Sequence, residues 1–251
     1  QKVSLRLQAS TYFRTYSASF SEPWFGGKKP VQFSSSISYS KQFLNNYITQ
    51  RVDKTKSFNI LTLSLGLAKR LTVPDDYFVL SQSISYQHYD LNNYNTGLFT
   101  FGNGASRNLA YTVGLTRSNK GTNPIFPMYG SEFSISAKLT PPYSLLNGVD
   151  YAALGDKQEY KYKHTGTTYT GTNGIQVNAG DYLEAIPTST NPYPNSVSNY
   201  QDAVADPAIV DQKKFNWLEY YKIKFKADWY TKVYGKLVLR TLSEFGFLGA
   251  Y

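Results

Sequence analysis

Between Ser57 and Leu71 the chain reads SFNILTLSLGLAKRL. Leu61, Leu63, Leu65, Leu67 and Leu71 fall on alternate positions, with Thr62, Ser64, Gly66, Ala68 and Arg70 among the residues between them. A strand sends successive side chains to opposite faces, so this stretch reads as a strand with one apolar face and one small or polar face. A helix would scatter the same leucines around its circumference.

The same period recurs on both sides. Val3, Leu5 and Leu7 oppose Ser4, Arg6 and Gln8; Leu109, Tyr111, Val113 and Leu115 oppose Ala110, Thr112, Gly114 and Thr116. Phe133, Ile135, Ala137 and Leu139 oppose Ser134, Ser136 and Lys138; Tyr221, Ile223, Phe225, Ala227 and Trp229 oppose Lys222, Lys224, Lys226 and Asp228. Nine strands are expected, over 3–9, 12–21, 31–41, 57–72, 77–90, 108–118, 131–140, 216–230 and 233–245. All exceed the usual five or six residues, and all but 3–9 reach the roughly 9–11 that a tilted strand needs to cross a bilayer.

Composition narrows the choice. Aromatic residues make up 16% of the 251, with 23 Tyr, which argues against disorder. Charged residues are only 17%, below the roughly 25% of an ordinary soluble domain. No apolar run approaches the ~20 residues of a transmembrane helix. Two classes survive: a large soluble all-β protein and an antiparallel, up-and-down transmembrane β-barrel. Cysteine is absent, which excludes a disulfide framework, a thiolate metal site and a cysteine nucleophile within these residues. Gln1 to Ser10 alternate instead of forming a signal-peptide core, so a mature or partial chain of an exported protein is expected.

The connections separate the two classes. With strands running up and down in order, the long connections 42–56, 91–107 and 141–215 share one end of the sheet, and the short break at 10–11 is the exception there. Transmembrane barrels have short periplasmic turns and longer extracellular loops, whereas a sandwich has no reason to sort loops by length. Tyr12, Trp24, Phe25, Tyr47, Tyr89, Trp217, Tyr220 and Tyr230 fall near expected strand ends, where barrels carry aromatic girdles. The expected organisation is barrel strands over 1–140, one extracellular insertion over 141–215, and barrel strands with the start of the next extracellular loop over 216–251. The insertion carries eight acids and five bases; the rest carries 21 bases and nine acids, within a net charge of +9. A basic body with an acidic insertion would by charge alone allow nucleic acid or an anionic membrane surface; with a barrel in the membrane, nucleic acid is not expected as a partner. Lys28, Lys29, Lys69 and Arg70 sit near the short-turn side. Lys41, Arg51, Lys54 and Lys56 sit on the long-loop side, within reach of lipopolysaccharide phosphates or simply solvated.

Little in the chain speaks for catalysis. His88 shares a face with Asp90, half of a hydrolase-like dyad, but the plainer reading is a polar rim residue. No GxSxG, HExxH or phosphate loop is present, so no enzymatic activity and no cofactor are expected. Asp150, Asp156, Glu159, Asp181, Glu184, Asp202, Asp206 and Asp211 lack calcium-loop spacing and read as a solvated surface. Lys222, Lys224 and Lys226 alternate with outward apolar residues and so face the lumen, with Lys138, Lys236 and Arg240 joining them; charge facing lipid would be costly. Such a column either selects anions or is paired with acids such as Asp228 and Glu244, or with an inserted loop. The aromatics of the insertion suggest an ordered cap or a docking surface, with a mobile tether as the alternative for so long a connection.

Short motifs add a resemblance. Ser21-Glu22-Pro23-Trp24-Phe25-Gly26-Gly27 resembles the polar–Pro–aromatic–Phe turn of the BamA family of outer-membrane protein assembly factors. Phe126-Pro127-Met128-Tyr129-Gly130-Ser131 resembles that family's F-P-x-x-G-S turn, with Met128-Tyr129 in place of the usual Thr-Asp. Tyr220-Tyr221-Lys222 and Leu239-Arg240 follow in the family's order, and the insertion matches nothing in it. The resemblance implies the third to eleventh strands of a sixteen-stranded barrel in a Gram-negative outer membrane, in a polypeptide that also carries POTRA domains. It implies a BAM-complex subunit that folds and inserts β-barrel proteins by strand templating at a lateral seam and by perturbing the membrane. Partners so implied are outer-membrane lipid and lipopolysaccharide, BAM-complex lipoproteins and unfolded β-barrel clients, with surface partners on 141–215. Porins or plugged transporters, and the translocation assembly protein TamA, are the alternatives.

Overall fold

The computed structural model describes residues 1–27, 30–46, 49, 51–97, 99–120 and 127–251. Nine long strands form one antiparallel meander: β1 (Lys2–Ala9), β2 (Phe13–Glu22), β3 (Val31–Asn46), β4 (Arg51–Arg70), β5 (Phe78–Asn92), β6 (Gly104–Ser118), β7 (Gly130–Leu139), β8 (Tyr221–Tyr234) and β9 (Leu237–Gly249). Each pairs with its neighbours in sequence, in the order β1 to β9. The nine expected strands are all present, in that order.

Their faces follow the alternation. One ladder row runs Val3, Phe20, Ser35, Leu65, Ile84, Tyr111, Leu139, Tyr221, Gly249 across all nine strands. Seven of these nine side chains are apolar or aromatic, and the rows beside it on the same face repeat the pattern. Val3, Leu5 and Leu7 are 75%, 70% and 68% exposed. A contiguous apolar face of this extent marks a surface that another apolar phase covers.

The row crosses the strands obliquely. It meets β2 near its C-terminal end, at Phe20, and β8 at its first residue, Tyr221. The apolar stretch of each strand therefore slides along the sheet from β1 to β9. Tilted strands with staggered register are what closure of a sheet into a barrel requires.

Three boundaries differ from the expectation. β3 and β4 project past the apolar band to Asn46 and Arg51, so most of the expected 42–56 loop is strand. The ladder skips between Phe43↔Ser57 and Leu44↔Asp53, leaving Lys54, Thr55 and Lys56 without ladder partners. Beyond the band neither face is apolar, so no alternation announces these residues. β8 and β9 turn at Gly235-Lys236 rather than at 231–232. Gly235 has φ 54°, which suits the first central position of a two-residue hairpin turn, and Thr231 continues the ladder opposite Leu239. Residues 216–220 lie outside β8. Pro141 and Pro142 have no backbone N–H to extend the β7 ladder. The Thr140 hydroxyl substitutes, accepting from the Tyr220 N–H at 2.7 Å.

The stretch between β7 and β8 is folded. It contains α1 (Tyr143–Asn147), α2 (Pro207–Lys214) and two two-stranded ribbons, 169–170 with 176–177 and 182–183 with 196–197. The Asp206 side chain caps α2, accepting from the Ala208 and Ile209 N–H groups. Leu154, Val177, Leu183 and Pro194 are fully buried, with Tyr160 and Ala203 nearly so. This small core explains how an acidic, loop-rich stretch holds a shape.

Candidate functional site

The polar face of β7–β9 carries the basic column. Lys222 lies directly opposite Lys138, Lys224 opposite Ser136, and Lys226 opposite Ser134 on one side and Glu244 on the other. Arg240 lies opposite Tyr230 on that face. Lys236 does not join them: it occupies the β8–β9 turn, because that hairpin closes four residues later than expected. The lumen assignment of Lys236 is therefore corrected.

The lower part of the column is neutralised. Asp228 is 2% exposed. Its carboxylate accepts from Arg240 Nε at 2.9 Å, a second Arg240 guanidinium nitrogen at 3.1 Å, and the Tyr230 hydroxyl at 3.2 Å. Lys120 bridges Asp228, at 3.4 Å, and Glu132. The fork-to-carboxylate geometry is the strong form of such a contact. Sequence reasoning misses Lys120 and Glu132: Lys120 lies beyond the alternation of β6, and the one signal for Glu132 is that it shares the polar parity of Ser134. Glu244, expected as a partner, makes no ion pair among the described residues.

The upper part is different. Lys222, Lys224 and Lys226 form no ion pair among the described residues. Lys138 lies over the Tyr220 ring at 5.7 Å. Lys138 and Lys222 line a cleft of about 890 Å³ together with Tyr220, Tyr151, Phe215 and Lys214. Two like charges directly opposed in a ladder repel, so this end of the column is electrostatically open to an anion.

The insertion is seated on that same face. Its last leg runs parallel to the upper part of β6: Arg107 N–H donates to the Asn216 carbonyl and Leu218 N–H to the Arg107 carbonyl, each at 2.8 Å. The Ser106 hydroxyl donates to the Phe215 carbonyl at 2.6 Å. Asn108 Nδ2 donates to the Tyr220 hydroxyl and to Gln87 Oε1, each at 3.2 Å. Ala208 and Phe215 pack against Phe58, Leu91 and Phe101, the main buried apolar cluster. The start of the insertion is clamped to its end. Glu219 accepts from the Ser144 N–H at 2.7 Å, the Ser144 hydroxyl at 2.6 Å and the Tyr151 hydroxyl at 3.1 Å. Burial, and secondarily the Glu219 carboxylate, push the Tyr151 phenol above its ordinary value, so it stays a donor at neutral pH.

The remaining sequence candidates separate. His88 lies on the apolar face, flanked in register by Leu61 and Arg107. Asp90 is not its partner but accepts from Asn59 Nδ2 at 3.0 Å. Among the acids of the insertion, Asp150 and Asp181 serve local turns, accepting from the Ala152 and Asn178 N–H groups, whereas Asp211 accepts from the Thr100 hydroxyl and ties α2 to the β5–β6 connection. Among the described residues no three acids or histidines converge on one point. Tyr89, Tyr220 and Tyr230 lie on the polar face and act there in packing and hydrogen bonding, which corrects their place in a girdle. Trp229, on the apolar face and 52% exposed, better fits one.

The turn motifs have physical roots. After Glu22, which ends β2, Pro23 leads into a turn where Gly27 N–H donates to the Trp24 carbonyl and Phe25 N–H to the Val31 carbonyl. Phe25 packs on Phe33 with centroids 5.0 Å apart. Pro127 precedes Gly130, whose φ of 105° and close approach to the Asn119 carbonyl leave no room for a Cβ. Phe126, Lys28, Lys29 and Tyr47 lie outside the described residues.

Comparison with known proteins follows the same lines. The Omp85 superfamily domain matches residues 1–182. No curated protein matches. Among solved structures, the chain is similar to BamA from Haemophilus ducreyi lacking POTRA domains 1–3, with 14% identity and a TM-score of 0.50. That match covers 98% of this chain and 35% of the other, and at such identity it speaks for the fold alone. The family match spans β1 to β7 and reaches into the insertion, over strands whose stagger and apolar face are those of a barrel wall. The chain belongs to the Omp85 superfamily.

Proposed function

We propose that these residues form part of the wall of an outer-membrane β-barrel that folds and inserts other β-barrel proteins, as in the BamA family. The apolar face lies in lipid, the polar face lines the lumen, and the insertion between β7 and β8 lies outside the cell. The part described is scaffold: it uses no cofactor and carries out no covalent chemistry. Insertion of clients proceeds by strand templating at a lateral seam and by thinning of the nearby membrane. Lipopolysaccharide, BAM-complex lipoproteins and unfolded barrel clients are the partners, with surface partners on the insertion.

The observation that carries this reading over a transport channel is the insertion seated on the polar face. The Phe215 carbonyl accepts from Ser106 and the Tyr220 hydroxyl from Asn108, so the last leg of the insertion is held against the upper part of β6, beside the lysine column. An anion-selective pore would need its lumen wall free of such a segment. The translocation assembly protein TamA belongs to the same proposal as its nearest variant.

The test uses the intact polypeptide in vesicles with an unfolded outer-membrane barrel as client. Folding is read by the client's resistance to unfolding in a cold denaturing gel, and conductance is read in a planar bilayer. The reading predicts faster client folding with small flickering conductance. A steady anion-selective current without faster folding contradicts it. Deletion of 145–212 separates the docking role: unchanged partner co-purification and unchanged barrel assembly would remove it.

A further inference from the structure

We infer that the upper, outward side of β2 and β3 is a binding site for a phosphorylated lipid headgroup. Arg14 on β2 lies directly opposite Lys41 on β3, and both share the parity of the apolar face. The next pair down on that face is Tyr16 and Tyr39, stacked with centroids 6.5 Å apart and planes 2° apart. Below them come Ala18 and Ile37. The two cations therefore stand at the upper boundary of the apolar band, just beyond a pair of amphipathic rings.

A third cation completes the site. The skip in the β3–β4 ladder places Lys54 in a cleft of about 710 Å³ lined also by Ser10, Arg14, Tyr16 and Val52. Phe43 N–H donates to the Tyr12 carbonyl at 2.8 Å and ties the projecting hairpin to the β1–β2 connection. The hairpin thus roofs the top of β1 and β2.

None of the three cations has an ion pair among the described residues. The nearby carboxylates are engaged elsewhere: Asp53 accepts from the Thr55 N–H and hydroxyl, and Asp90 from Asn59. Like charges directly opposed across a ladder repel, and an anion between them reverses the sign. Guanidinium and ammonium groups together are suited to phosphate, the guanidinium through its paired donors. Tyrosines one step toward the apolar band mark the depth of a headgroup, which selects a lipid phosphate over a free one.

The inference rests on the membrane-spanning reading, and the experiment separates the two. The intact polypeptide is placed in phosphatidylcholine nanodiscs containing diphosphoryl lipid A. Retained glycolipid is counted by native mass spectrometry, and strand insertion is checked by protease protection. The expected result is retention by the wild type and by Arg14→Lys, a loss of about tenfold in Arg14→Gln/Lys41→Gln, and no change in Lys232→Gln. Normal insertion with unchanged retention in the double variant overturns the site alone. Displacement by millimolar inorganic phosphate overturns the lipid assignment. Failure to insert overturns the membrane reading and the site with it.

Discussion

Arg240 grips Asp228 with two guanidinium nitrogens, at 2.9 and 3.1 Å, across the β8–β9 hairpin. The contact is diagonal: Asp228 lies opposite Leu242 and Arg240 opposite Tyr230. The carboxylate is buried, whereas the Arg240 side chain is 53% exposed. Removing the arginine therefore leaves a buried charge with only Lys120 and Tyr230 for company, and Arg240→Gln is expected to destabilise by about 1–3 kcal/mol. Adding Asp228→Asn removes the uncompensated charge and should recover part of the loss. Urea midpoints of the four-member cycle check this; purely additive losses would mean that the two residues are not coupled.

The clamp at Glu219 predicts a pH dependence. Tyr151 has a raised value in the folded state, so its contribution is fully present below its unfolded value of about 10 and is lost as pH rises through the higher folded value. Limited proteolysis between 141 and 152 should stay slow from pH 7 to about 9.5 and accelerate above that. Tyr151→Phe should be cut faster at neutral pH and lose the alkaline step. An alkaline step that survives in Tyr151→Phe would assign it to another group.

The alternation was legible because one face of each strand is apolar. Thr62 and Leu65 test that directly. Leu65→Arg puts a charge in the middle of the apolar face and should cost about 2–4 kcal/mol in a bilayer, whereas Thr62→Lys on the polar face should cost well under half of that. The yield of folded protein in vesicles is the measurement, and equal losses would count against the facing.

What the sequence left hidden shares a physical cause. Residues 42–46 and 51–56 are strand, yet they lie beyond the apolar band, where alternation has no apolar half. Leu154, Val177 and Leu183 form a core with ribbons only two residues per strand, too short for any period to register. The pairing of Asp228 was foreseeable from its parity with Lys222, Lys224 and Lys226. Lys120 was not, because it lies past the end of β6, beyond any alternation. The β8–β9 turn lies four positions later than expected because Thr231 and Lys232 continue the ladder opposite Leu239 and Val238, and Gly235, with φ 54°, sets the bend.

Two glycines with positive φ should behave differently. At Gly130 (φ 105°) a Cβ meets the Asn119 carbonyl, while at Gly235 (φ 54°) nothing lies within 4 Å. Gly235→Ala should cost about 1 kcal/mol for the backbone conformation alone, and Gly130→Ala about 2–3 kcal/mol or more, since the turn must also shift. Thermal midpoints of the two variants rank them; the reverse order would place the strain elsewhere.

The most direct test of the account is a cysteine scan of Leu61 to Ala68 in a cysteine-free form of the intact polypeptide, reconstituted in lipid vesicles. Each position carries a nitroxide label, and its accessibility to oxygen and to a water-soluble nickel reagent is read by electron paramagnetic resonance. The account predicts strict alternation, with 61, 63, 65 and 67 in lipid and 62, 64, 66 and 68 in water. Uniform water accessibility along the strand would contradict a barrel wall.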